Sequence, residues 1–274
     1  MLRDRIEIDK LMEKKLFLLG GYDLEMITIR ELLISLGFEE ITSPVDFMSG
    51  DYFADRHLKW GASVDSYRDL LTFHGKIYGI ELTVTDESIL PENYVIIDHH
   101  NERNNLPSSI EQVAEILEIE LTHRQKLIAA NDRGYIPAML ALDASPEEIS
   151  DIRRSDRQAQ GVTENDELLA EKSLKESVTF RNDLIIIESL TPRFSAIADR
   201  IYPFRKLLIT HDNHLVYYGQ GIETLSANFQ DLIRNKKAFY GGGKNGFFGL
   251  VQGIFSKDQF LQIRESLINI IINL

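Results

Sequence analysis

The stretch Tyr94-Val95-Ile96-Ile97-Asp98-His99-His100 joins a short apolar run directly to one carboxyl group and two imidazoles. An apolar run of this length is typical of a buried strand. In parallel α/β sheets, ligands bind at the carboxyl ends of the strands, which is where these polar residues are expected. Polar groups at such a position are costly unless a site uses them. The tripeptide is therefore the first candidate for function, the alternative being two surface histidines in a loop.

Neighbouring segments predict the rest of this sheet. The apolar run 16–19 is followed by two glycines and then by a helical pattern that ends near Gly37, which predicts strand, tight loop and helix. Residues 76–82 form a second predicted strand, preceded by an amphipathic segment at 66–73. Strands that alternate with helices favour a parallel sheet, so an α/β fold is predicted. Asp23 and Glu81 also follow predicted strands and are candidates for the same reason.

The C-terminal part of the chain predicts a second sheet. After Pro107, Ser108 or Ser109 is expected to cap a helix, and further helices run to about Val178. Strands are predicted at 184–187, 206–210 and 215–218, with a hairpin turn between the last two, and a closing helix at about 258–271. The 274 residues exceed the usual size of one core. We therefore expect an N-terminal parallel-sheet domain, 1–178, and a smaller C-terminal α/β domain, 179–274.

Composition restricts the kind of site. The chain is 43% hydrophobic and 27% charged, as in ordinary globular proteins. It contains no cysteine, which excludes disulfides, thiolate metal sites and thiol nucleophiles. Any metal must be held by oxygen and imidazole ligands, a set that suits a divalent cation such as manganese.

Net charge and hydropathy restrict the partners. The formal charge of −13 argues against long duplex nucleic acid and leaves a short, phosphate-bearing substrate compatible. The sequence shows neither a secretory signal nor an apolar run long enough to span a bilayer. The expected location is therefore the cytoplasm, with no membrane partner.

The tripeptide Asp98-His99-His100 resembles the signature of the DHH phosphoesterases, which are named after it. Their first motif, His-x-Asp-x-Asp, is similar to Gly21-Tyr22-Asp23-Leu24-Glu25, which keeps both acidic positions and lacks the histidine. Their second motif is an Asp that ends a later strand, and Glu81 is the nearest match, with Asp86 and Asp65 as weaker alternatives. Their fourth motif is an Asp after a helix, matched by Asp132. The alternative for Asp132 is a helix C-terminal turn closed by Gly134.

The stretch Gly241-Gly242-Gly243-Lys244-Asn245-Gly246-Phe247-Phe248-Gly249 resembles the Gly-Gly-Gly-His-x-x-Ala-Ala-Gly signature of the substrate-binding domain that accompanies many DHH domains. All four signature glycines are in register, and lysine stands in place of histidine. Glycines let backbone amides approach a phosphate closely. The alternatives are a purely structural turn and, for the two Phe residues that replace Ala, either packing or stacking on a base.

The resemblance implies roles for individual residues. Catalytic roles fall to Asp98, which would hold the ring of His99, and to His100, which would contact the scissile phosphate. The implied metal ligands are Asp23, Glu25, Glu81, His99 and Asp132. The implied substrate-binding residues are Arg133, with Arg193 as an alternative, and Gly241, Gly242, Gly243, Lys244 and Gly249. One ion site, formed by Glu25, Glu81, His99 and Asp132, is complete, whereas the other has lost its histidine at Gly21.

The resemblance also implies an activity. It predicts a manganese-dependent phosphodiesterase, with magnesium as the alternative ion, acting on short oligonucleotides or on linear or cyclic dinucleotides in a cleft between the two domains. Homodimers are common in that family. Two alternatives are kept: a degenerate relative that binds a nucleotide or another phosphorylated ligand without turnover, and a pyrophosphatase, which the glycine-rich signature disfavours.

Overall fold

The computed structural model describes residues 15–20, 23–38, 75–82, 90–241 and 246–274. The chain divides into two compact units, Met1–Gln160 and Gly161–Leu274. The predicted domain limit at 178/179 stays a prediction; in the structure, the helix Glu164–Glu176 goes with the second unit. The predicted segment 66–73 and the candidates Gly21, Asp65 and Asp86 lie outside the described residues.

The first unit contains the predicted parallel sheet. Strands β1 (Lys15–Leu19), β2 (Lys76–Ile80) and β3 (Tyr94–Ile97) are hydrogen-bonded in the order β1-β2-β3. In this register Leu19 pairs with Ile80, and Ile80 pairs with Ile97. The three carboxyl ends are therefore level, and the residues that follow them emerge at one edge of the sheet.

Helices of the first unit follow from local capping signals. They are α1 (Leu24–Ser35), α2 (Ser109–Ile116), α3 (His123–Leu140) and α4 (Pro146–Ala159), with a short 3-10 turn at Asn101–Arg103. Each α-helix begins directly after an N-cap residue whose side chain accepts a backbone N–H of the first turn. These N-cap residues are Asp23, Ser108, Thr122 and Ser145. Apolar residues from the sheet, α1 and α2 form one core, including Leu19, Ile29, Leu33, Ile80, Ile97, Ile110 and Val113.

Helix α3 is interrupted, and this corrects the expected position of Asp132. Gly134 and Tyr135 have non-helical backbone angles, and Tyr135 has a φ of 59°. Pro137 explains the break, because its ring would clash with the carbonyl of Arg133 in a regular helix. The helix then resumes to Leu140, so Asp132 lies within α3, just before the break, and not after the end of a helix.

The second unit is a mixed α/β layer structure. Its strands are β4 (Val178–Arg181), β5 (Leu184–Glu188), β6 (Lys206–His211), β7 (His214–Gly219), β8 (Ala238–Gly241) and β9 (Phe247–Leu250). The sheet runs in the order β4-β5-β6-β7-β9-β8, with β5 and β6 parallel and the other pairs antiparallel. The helices are α5 (Glu164–Glu176), α6 (Ser195–Ile201), α7 (Ile222–Asn228), α8 (Gln230–Arg234) and α9 (Lys257–Ile272). The predicted α/β class, β6–β7 hairpin and closing helix are confirmed.

Both faces of the second sheet bury apolar side chains. One face packs Leu208, Tyr217 and Phe248 in a core with Phe260 and Leu267 of α9. The other face packs residues such as Ile187 and Leu207 with α6. Within the described ranges, no helix combines the length and apolar character needed to cross a bilayer.

Candidate metal centre

Four side chains that are distant in sequence converge at the carboxyl edge of the first sheet. Glu81 follows β2, His99 follows β3, Glu25 lies in the first turn of α1, and Asp132 belongs to α3. Nε2 of His99 is 2.6 Å from Oδ2 of Asp132, 3.5 Å from Oε1 of Glu81 and 3.7 Å from Oε2 of Glu25. The structure thus brings together the four residues that the resemblance assigns to the complete ion site.

The atoms that face one another in this cluster lack ordinary partners. In the described part of the chain, Glu25 Oε2, His99 Nε2 and Asp132 Oδ2 are buried without a partner in hydrogen-bond geometry, despite the short contact between the last two. Buried polar atoms normally have hydrogen-bond partners, so three such atoms that lack partners and face one another need an explanation. Ligand atoms of Glu81, His99, Asp132 and His100 also lie within 4.8 Å of one another. Carboxylates with imidazole fit a divalent cation such as Mn²⁺.

The start of α2 orients two of the carboxylates. The backbone N–H of Ile110 donates to Oε1 of Glu25 at 3.1 Å, and the hydroxyl of Ser109 donates to Oε1 of Glu81 at 2.7 Å. A helix N-terminus favours negative charge, because its first N–H groups have no partner within the helix. The sequence predicts only a capping role for Ser109. The cap is Ser108, and no local signal distinguishes the positioning role of the next serine.

Burial and mutual repulsion shift the protonation of the cluster. Burial raises the pKa of Glu25 to about 7; the contact with His99 opposes this shift, whereas Asp132 and Glu81 add to it. Burial lowers the pKa of His99, but its contacts with Asp132, Glu25 and Glu81 outweigh burial and raise that pKa to about 12. The metal-free cluster therefore retains protons near neutral pH, and a cation would displace them.

Asp23 lies beside the cluster as the N-cap of α1. Its Oδ1 accepts the N–H of Met26 at 2.9 Å. Burial, followed by repulsion from Glu81, raises the pKa of Asp23 to about 7, and Asp132 contributes in the same direction. Capping accounts for one oxygen of this carboxylate, and a role as metal ligand stays a prediction.

Asp98 holds His100 and not the ring of His99, which corrects the expected role. Its Oδ1 accepts the backbone N–H of His100 at 2.9 Å and lies 3.0 Å from Nδ1 of the same residue. An Asp side chain readily accepts the backbone N–H two residues further on, as in an Asx turn, and this explains why Asp98 holds His100. Burial raises the pKa of Asp98, but hydrogen bonds from His100 outweigh burial, and the pKa is lowered. The ring of His100 is half exposed.

The structure describes three of the predicted substrate-binding residues, Arg133, Gly241 and Gly249. Arg133 is exposed on α3, with Nη1 3.8 Å from Oε2 of Glu111. Gly241 and Gly249 lie in the β8–β9 hairpin, where an added Cβ would lie 2.9 Å from the ring of Phe247 and 2.3 Å from the ring of Phe239, respectively. These two glycines make room for aromatic rings. Gly242, Gly243 and Lys244 lie outside the described residues.

The two Phe residues of the same motif differ in burial. Phe248 is fully buried in the core of the second unit, so it packs there. Phe247 is 36% exposed, with its ring centroid 6.2 Å from that of Phe239.

Comparison with known proteins finds similar chains among solved structures. No family model matches the chain, and no curated protein matches it. Among solved structures, a DHH domain described as a member of a family of ribosomal proteins has a TM-score of 0.47 and 11% identity, over 96% of this chain and 88% of that one. A pGpG-specific phosphodiesterase, PggH, from Vibrio cholerae has a TM-score of 0.36 and 10% identity, over 72% and 84%. An uncharacterized protein from Helicobacter pylori has a TM-score of 0.24 and 10% identity, over 95% and 99%.

Proposed function

We propose that this chain is a metal-dependent phosphodiesterase that cleaves short oligonucleotides or dinucleotides. The observation that carries the proposal is the convergence of three carboxylates on Nε2 of His99, with orphaned buried atoms facing one another. The resemblance of the surrounding motifs to the DHH phosphoesterases supports the same chemistry.

Glu25, Glu81, His99 and Asp132 would hold the cation, with Mn²⁺ or Mg²⁺ as candidates. A bound divalent cation supplies charge neutralisation at a phosphoryl group and lowers the pKa of a water molecule. The chain itself holds the ligands in place: Ser109 donates to Glu81, and the N–H of Ile110 donates to Glu25. These fixed donors keep the carboxylates converged, as ligand positioning requires.

His100 is proposed to contact the phosphate of the substrate. Its Nδ1 lies against Asp98, so Nε2 is the nitrogen that we assign to this contact. Asp98 fixes both the backbone and the ring of His100, which reduces the entropy lost when the ring contacts substrate. The net charge of −13 favours a short substrate over a long duplex.

The proposal is tested by mononucleotide release from a linear dinucleotide in the presence of Mn²⁺. We expect the His99→Ala/Asp132→Ala double variant to lose both turnover and Mn²⁺ binding. The matched control is His123→Ala/Asp151→Ala, which removes the same residue types from exposed positions on α3 and α4. Turnover that survives in the first double variant would contradict the proposed site.

The second candidate function is nucleotide binding without turnover. It is favoured by Asp23, whose carboxylate caps α1, and by Gly21, which stands where the resemblance expects a histidine ligand. This candidate predicts that the wild-type protein binds Mn²⁺ and a dinucleotide in calorimetry and releases no mononucleotide. Measurable turnover would exclude it.

A further inference from the structure

Helix α4 carries a buried ion pair that contacts both α1 and α3. Nη1 of Arg153 is 2.7 Å from Oδ2 of Asp156, and the two residues are 9% and 6% exposed. They are three residues apart, so they lie on the same face of the helix. Gln160 donates a further hydrogen bond to Oδ2 of Asp156 at 3.2 Å.

Asp156 contacts the start of α1. Its Oδ1 accepts the backbone N–H of Leu24 at 3.3 Å, across 132 residues of sequence. Leu24 is the first residue of α1 and precedes the cluster residue Glu25. The first N–H groups of a helix have no partner within it. Asp156 satisfies one of them and fixes the backbone that carries Glu25.

Arg153 contacts α3 both just before its interruption and within it. Nη1 donates to Oδ1 of Asn131 at 2.9 Å, and Asn131 directly precedes Asp132. The guanidinium also lies 4.5 Å from the ring centroid of Tyr135, within the break. A continuous helix would hold Asp132 rigidly, whereas here the backbone hydrogen-bond ladder is broken just beyond it. Arg153 links the residue before Asp132 to the residues of the break.

We propose that Arg153 and Asp156 are positioning residues for the metal centre. The path Leu24–Asp156–Arg153–Asn131 joins the backbone next to Glu25 to the residue next to Asp132 through hydrogen bonds between buried groups. It sets the separation of two ligands that come from different helices. A buried ion pair is weak evidence for stability alone, because desolvation offsets its attraction. This inference rests on the proposed function, since it concerns the same site.

The test measures Mn²⁺ affinity by calorimetry on the full chain, well below the melting temperature of each variant. Asn131→Ala removes the hydrogen bond from Arg153 to α3 and leaves the ion pair intact, so the buried charges stay paired. Arg153→Lys keeps the charge but cannot reproduce the planar fork and the stacking on Tyr135. We expect both variants to bind Mn²⁺ about tenfold more weakly or worse, in the range found when residues that support ligands are lost.

The matched control is Arg200→Lys in the second unit. Arg200 forms a partly buried ion pair with Glu167 at 2.6 Å and also donates to the carbonyl of Ala196. This variant should lower the melting temperature without changing Mn²⁺ affinity, which separates loss of stability from loss of positioning. If Arg153→Lys does not fold, Asn131→Ala decides the question.

The outcomes separate this inference from the proposed function. If wild type binds Mn²⁺ and both α3–α4 variants bind it equally well, Arg153 and Asp156 serve stability alone and the inference fails, while the proposed metal site stands. If wild type binds neither Mn²⁺ nor Mg²⁺, the proposed site fails and the inference fails with it.

Discussion

Glu25 combines almost complete burial with a carboxyl pKa raised to about 7. Its Oε1 accepts the N–H of Ile110, whereas Oε2 faces His99 without a hydrogen-bond partner among the described residues. A carboxylate in this position is unfavourable for the metal-free protein above neutral pH. The proposed ligand role accounts for a carboxylate in this position.

Glu25→Gln is therefore expected to change stability and metal affinity in opposite directions. At about pH 8 in EDTA, the neutral amide should raise the free energy of unfolding by on the order of 1–3 kcal/mol, because it mimics the protonated acid. Its oxygen can still accept from Ile110. Calorimetry should show Mn²⁺ affinity falling by about 100-fold or more, above the range for residues that only support a ligand.

The control for this change is Glu31→Gln, an exposed carboxylate on the same helix. It should leave both quantities unchanged. If Glu25→Gln lowered stability in EDTA, or left Mn²⁺ affinity intact, Glu25 would be a structural residue and not a ligand.

At the scale of one element, the start of α2 separates two adjacent serines by role. The hydroxyl oxygen of Ser108 accepts the N–H of Glu111, and the backbone N–H of Ser108 donates to the carboxylate of Glu111, so Ser108 caps the helix. Ser109 directs its hydroxyl to Glu81, across 28 residues of sequence. Both serines are fully buried, and the local sequence pattern does not show which of them caps the helix.

The two alanine variants should give complementary results. Ser108→Ala should lower the free energy of unfolding by about 1 kcal/mol, the usual effect of losing an N-cap, with Mn²⁺ affinity unchanged. Ser109→Ala should weaken Mn²⁺ binding about tenfold, because Glu81 loses the donor that orients it. Thermal melts and calorimetry on both variants provide the comparison. Equal Mn²⁺ affinities in the two variants would rule out the positioning role of Ser109.

At the scale of the whole molecule, the acidic cluster couples stability to pH. The folded pKa values of Glu25 and Asp23, about 7, lie above the ordinary values of 4.5 and 3.8. Between these ordinary values and about 7, the folded protein therefore keeps protons that the unfolded chain has released. The stability that the two protonated carboxyl groups contribute is lost as pH rises towards 7. The pKa of His99 is raised from 6.5 to about 12. The stability that the protonated ring contributes is therefore fully present below pH about 6.5 and declines above it.

We expect the melting temperature in EDTA to fall as pH rises from about 5 to about 8. Excess Mn²⁺ should raise it, and the increment should grow with pH, because the cation displaces protons from the same groups. Melts in EDTA and in Mn²⁺ across this range provide the measurement. The His99→Ala/Asp132→Ala variant is the control and should show no Mn²⁺ increment. An increment in wild type that shrinks with rising pH would contradict protonation of the site.

The sequence by itself determined the candidate chemistry and most of the elements, although not strands β4, β8 and β9 of the second sheet. Apolar runs and capping residues predicted the parallel strands and most of the helices, because these signals act within a few residues along the chain. Since the strands are parallel, it also followed that residues after β2 and β3 would meet at one edge. Their positions after strands made Glu81 and His99 candidates, whereas Glu25 and Asp132 were implied by the motif resemblance alone.

The tertiary structure alone decided which groups support that site. The partners of Glu25 and Leu24 are 85 and 132 residues away, so no local periodicity encodes them. The same holds for the link from Ser109 to Glu81 and from Arg153 to Asn131. Such contacts arise only when sheet register and helix packing fix distant segments side by side, and this is why their roles became visible only in the folded chain.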